Sequence, residues 1–185
     1  METLNYLHGF LNHFETEARA GALPKNQNSP QKPAFGLYAE QLNGSPFTAP
    51  RHRNLKTWLY KIRPSVIQGK FEEVGHPTWI SDSAHGKVVK TPQALRFMPY
   101  PQAKAPIDFI DSLFTYALNG SVHSNTGCAI HLFACSKSMT DRYAYNADAE
   151  MMIVPESGEM LLHTEMGTLE LSPLFIGVIP RGVKF

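Results

Sequence analysis

DAEMMIVPESGEMLLHTEMGTLELSPLFIGVIPRG, residues 148–182, decides the fold. Short apolar runs recur in it at roughly 8–12-residue intervals, and turn residues separate them. The pattern predicts strands over Glu150 to Val154, Met160 to Thr164, Thr168 to Leu171 and Phe175 to Ile179. Pro155-Glu-Ser-Gly158, Met166-Gly167 and Ser172-Pro173 supply the turns. Strands punctuated in this way belong to a β-sandwich or a jelly roll. Just upstream, GCAIHLFAC (127–135) is nearly all apolar, as expected for a strand buried on both faces. The fold class is therefore read as mainly β.

Working outward, the first half has a different texture. Eleven of the fourteen prolines precede residue 107, so that half is expected to be largely irregular. Residues 1–50 read as a loop-rich N-terminal arm and 51–185 as the β-rich body. The centre of the arm is GALPKNQNSPQKPAFGLYAEQLNGSPFT (21–48), which has no hydrophobic period. Pro24, Pro30, Pro33 and Pro46, with Gly21, Gly36 and Gly44, break any helix or long strand there. Only Phe35 to Glu40 can pair briefly, and Leu23, Phe35, Tyr38 and Phe47 are the side chains expected to pin the arm down. Trp58 to Arg63 is the clearest early strand. Trp58, Tyr60 and Ile62 share one face, Leu59, Lys61 and Arg63 the other, and Pro64 ends it. Trp79-Ile80 and Leu95 to Met98 are shorter candidates. A helical turn is expected around Pro106 to Tyr116, with Pro106 in its first turn.

A chain of 185 residues with 43% hydrophobic content can bury a real core. No apolar run approaches the roughly 18 residues that a membrane span needs. The start, Met1-Glu2-Thr3-Leu4-Asn5, lacks the basic and apolar regions of a signal peptide. Cys128 and Cys135 are an odd number of residues apart, on opposite faces of a straight strand, so they are expected as free, buried thiols in a reducing cytoplasm. A net charge of +1 argues against nucleic acid or a membrane as the main partner. The charges are unevenly spread, however. Residues 51–63 carry Arg51, Arg53, Lys56, Lys61 and Arg63 with no acid, while 141–170 carry seven acids against Arg142 alone.

The interval from Asp148 to Gly158, followed by VIPRG (178–182), resembles the rhythm of a cupin, a small jelly-roll barrel. A metal-binding cupin sets two histidines one residue apart and then a glutamate ahead of a strand and a glycine turn. Counting back from Gly158, the glutamate position falls on Met151 and the histidine pair among Ala144, Tyr145, Asn146 and Ala147. The histidine of the second cupin motif falls on Phe185. The turns are kept and the ligands are not, so the expectation is an incomplete cupin-like jelly roll with no bound metal. One other ligand set is conceivable. His163 and Glu165 are two residues apart and His131 sits mid-strand, which together supply the two histidines and one carboxylate of a non-haem Fe(II) site. Against it, strand histidines ordinarily serve packing, and these three share no tight motif. His8, His13, His52, His76, His85 and His123 lie in predicted loops with nothing to gather them. No G-x-S-x-G elbow or glycine-rich phosphate loop is present.

The arm segment 21–48, with YLHGFLNHF (6–14) before it and WLYKIRPS (58–65) after it, closely resembles the homogentisate 1,2-dioxygenase family. DRYAYNAD (141–148) and VIPRGVKF (178–185) are similar to family segments as well, so the resemblance runs through the chain. Leu11 departs from it, standing where the family usually has glycine. The resemblance implies an Fe(II) enzyme that opens the ring of homogentisate with O2 to maleylacetoacetate, in tyrosine and phenylalanine breakdown. It also implies that the iron ligands and the general base lie in a C-terminal half beyond this N-terminal portion. No catalytic, cofactor-binding or metal-ligating residue is carried over, and this portion alone is expected to be inactive. Family members assemble as trimers and hexamers, so a homo-oligomer is expected, with the arm and the basic strand around Lys61 as contacts. Arg51, Arg53 and Lys56 are candidates to draw in the anionic substrate. Read as a truncation, a stop after Phe185 is expected to leave a sheet edge unpaired, with marginal stability or self-association. The competing reading is a free-standing, metal-free cupin-like protein that binds a small molecule or another subunit.

Overall fold

A computed structural model describes residues 3–6, 15–24, 32–44, 50, 52, 56–83, 92, 94, 96, 98–100 and 104–185. The chain forms two compact units, Met1–Glu72 and Glu73–Phe185. Both are built mainly from antiparallel strand pairs, with little helix.

In the first unit, β1 (Tyr38–Gly44) pairs with β2 (Lys56–Lys61), so strands on either side of residue 50 make one hairpin. Gln41 faces Trp58, and a bulge follows between Gln41 and Asn43. The strand expected over Trp58 to Arg63 begins two residues earlier and stops at Lys61. Its end is set by a side-chain clamp. The backbone N–H and hydroxyl of Ser65 donate to the Glu40 carboxylate at 2.5 and 2.6 Å, and Lys61 Nζ lies 3.2 Å from it. The Ser65 hydroxyl, then its N–H, holds the Glu40 pKa down at about 2. The chain therefore bends back after Lys61, and Ile62 leaves the sheet face it was expected to share. In the arm, Glu17 accepts from the N–H groups of Gly21 and Leu23 at 3.0 and 3.2 Å. Ala22 is buried there. Phe35 and Tyr38, expected as pins, stay about half exposed, with Arg19 over the Phe35 ring at 3.9 Å. Phe47 lies outside the described residues.

The second unit opens with a loop that docks on β3 (Phe114–Ser121). Trp79-Ile80 forms no strand, but Thr115 N–H donates to Thr78 O at 2.8 Å, and Asp82 bridges Ser121. The expected strand over Leu95 to Met98 falls on positions partly outside the described residues. The helical turn is present as α1 (Phe109–Ser112), yet Pro106 is not in it. Asp108 is the N-cap instead, its Oδ1 accepting from Asp111 N–H at 3.1 Å. β3 pairs with β4 (Thr126–Leu132) through a turn closed by Asn125 in the left-handed region.

The C-terminal strands follow the sequence pattern closely. β5 (Met151–Ile153) pairs with β8 (Gly177–Ile179), and they enclose the hairpin of β6 (Met160–Thr164) and β7 (Gly167–Leu171). Outer pairs with outer and inner with inner, the order produced when a long hairpin is folded over as in a jelly roll. Alternation does the rest. Ile153, Leu162, Leu171 and Ile179 point inward and are buried, while Met152, Leu161 and Val178 point outward. Phe109, Leu113, Val183 and Phe185 complete that core. Phe109 meets Phe133 and Phe185 edge to face, at 5.1 and 5.8 Å between ring centres. Two backbone hydrogen bonds between Ala144 and Phe185, at 2.9 and 3.0 Å, fasten the last residues to the body.

One expectation fails clearly. β4 is not buried on both faces; Cys128 and Ile130 are exposed, and Cys128 is not the buried thiol expected. The β3–β4 pair is a two-stranded ribbon, and among the described residues no second layer covers its outer face. Apolar composition needs an opposing layer before it becomes burial.

Candidate functional site

The residues with chemical potential gather on the inner side of the β3–β4 ribbon, where the 76–80 loop meets it. Trp79 stands edge-on between two imidazoles, His76 at 5.9 Å and His131 at 6.2 Å between ring centres. His76 Nε2 lies 3.0 Å from the Ile110 carbonyl, so that nitrogen carries the proton and donates. Thr78 donates its hydroxyl to Leu113 O at 2.8 Å. Thr115 Oγ1 accepts from Ile80 N–H at 2.7 Å and reaches His131 Nδ1 at 3.1 Å. Burial pushes the His131 pKa down, which favours the neutral ring. Thr115 also donates its one hydroxyl proton to Ile80 O at 3.3 Å, so in the contact with His131 the ring Nδ1–H is the donor and Thr115 Oγ1 accepts. Every one of these bonds ends on a backbone group or a threonine hydroxyl. The cluster thus fastens the loop to the ribbon and sets up no nucleophile and no acid–base pair.

A second polar group is ionic. Arg142 donates from Nε to Asp108 at 2.9 Å and from its terminal nitrogen to Asp108 and to Asp111, the latter at 2.5 Å. Burial works against ionisation of Asp108, but the bonds from Arg142 and from Asp111 N–H outweigh it and hold the carboxyl below its ordinary range. Elsewhere in the unit, Lys184 Nζ and its N–H both donate to Glu165, at 3.2 and 3.1 Å.

The three residues considered as an iron triad are therefore each committed elsewhere. His131 is engaged by Thr115, His163 Nδ1 lies 3.3 Å from Thr168 Oγ1, and Glu165 is held by Lys184. Among the described residues no three His, Cys, Asp or Glu side chains come together in a way that holds a metal ion. This donor set does not fit an Fe(II) centre. Two histidines placed in loops with nothing around them do have partners: His76 as above, and His123 at 3.9 Å from Asp82, which also accepts from the Ser121 hydroxyl at 2.8 Å. His8, His13 and His85 lie outside the described residues, as do Arg51 and Arg53 of the basic segment. Lys56 begins β2 and is exposed, and Lys61 sits in the Glu40 clamp.

Compared with known families, residues 5–185 match the family model described as homogentisate 1,2-dioxygenase N-terminal.

Proposed function

The chain belongs to the homogentisate 1,2-dioxygenase N-terminal family, and from that premise we propose that it is the β scaffold of the N-terminal portion of such an enzyme. In this reading the complete enzyme uses Fe(II) and O2 to open the ring of homogentisate to maleylacetoacetate, in the cytoplasmic breakdown of tyrosine and phenylalanine. The ligands and the general base come from the C-terminal half of the family's proteins, and no residue of this chain is assigned to them. The family match over 5–185 carries the proposal. The engagement of His131, His163 and Glu165 by Thr115, Thr168 and Lys184 supports the division of labour. The scaffold also takes part in a homo-oligomer, a trimer or hexamer. The basic segment with Arg51, Arg53 and Lys56 draws the carboxylate substrate toward the assembly by its field.

Homogentisate-dependent oxygen uptake tests this. The 185-residue chain supplied with Fe(II) is expected to consume no oxygen, and uptake is expected once a segment bearing the family's two histidines and glutamate is added. Iron-dependent turnover by this chain alone would overturn the reading.

A further inference from the structure

We draw no further inference here: the strongest candidate, the apolar outer face of the β5–β8 pair around Met152, Val178 and the loop at Leu174, is an unpartnered sheet face, and nothing in the structure shows what covers it.

Discussion

Gly127 lies so close to Asn119 that a Cβ on residue 127 would fall 1.8 Å from the Asn119 carbonyl oxygen. Its partner across the ribbon, Gly120, has the same problem with Thr126 O at 2.2 Å. Both have positive φ, 106° and 88°, so strain and collision add. Gly127→Ala is expected to destabilise the chain by about 2–4 kcal/mol and to open the turn end of β3–β4. Gly75 has open space and an ordinary φ, and Gly75→Ala is expected to change stability by less than about 1 kcal/mol. Urea unfolding of the two variants checks the contrast; equal effects would remove the close-approach argument.

Leu161 and Leu162 are neighbours on β6 with opposite fates. Leu162 is 7% exposed in the core, and Leu161 is 48% exposed on the outer face. Leu162→Ala is expected to cost about 2–5 kcal/mol, the usual range for a buried leucine. Leu161→Ala is expected to stay within about 1 kcal/mol. A one-residue slip of register would reverse the order, so the pair also tests the strand pairing.

Asp108 is 2% exposed, and Arg142 is the cation that meets it. Arg142→Met keeps the length and removes the charge, leaving a buried carboxylate without its counter-ion. The urea midpoint at pH 7 is expected to fall. The pH slope is expected to change sign as well. In the unaltered chain the folded pKa of Asp108 is depressed, so its contribution is present above the unfolded value near 3.9 and fades as pH falls through the folded one. Without Arg142, burial, the largest single influence, is opposed only by the Asp111 N–H bond and the Lys137 charge, so protonation relieves the defect and the deficit should shrink between pH 7 and pH 4. Asp108→Asn keeps a good N-cap and discards the charge, and should be the milder change. A deficit in Arg142→Met that does not vary with pH counts against the buried pair.

How much of this was legible from the residues depends on what kind of contact made it. β6 spans Met160–Thr164 as the alternation predicts, and β5, β7 and β8 match within two residues, because local turn chemistry ends each strand. β4 was legible as a strand but not in its burial, which depends on whether another layer lies over it. The Asp108–Arg142 pair left a trace, with a lone arginine in an acidic stretch and an Asp ahead of a helical turn. The His76–Trp79–His131 cluster left none. Its members are brought together only when a strandless loop docks on β3, and no period or spacing encodes that event.

His131 makes that docking testable by pH. Burial lowers its folded pKa beneath the unfolded value of about 6.5, so the neutral ring is the form that suits the fold. For a depressed pKa the stability is present above the unfolded value and is lost as pH falls through the folded one. The urea midpoint of the unaltered chain is therefore expected to decline as pH drops below about 6.5. His131→Leu removes this proton uptake while filling the space beside Trp79, so its midpoint should decline less over the same interval. Thr115→Val gives the second arm. It takes away the acceptor of Ile80 N–H at 2.7 Å, a loss of about 1–3 kcal/mol that should persist at high pH, where His131 is neutral in both states. Parallel pH profiles for the unaltered chain and His131→Leu would mean that the imidazole titrates alike folded and unfolded, and the packing assigned to it beside Trp79 would have to be given up.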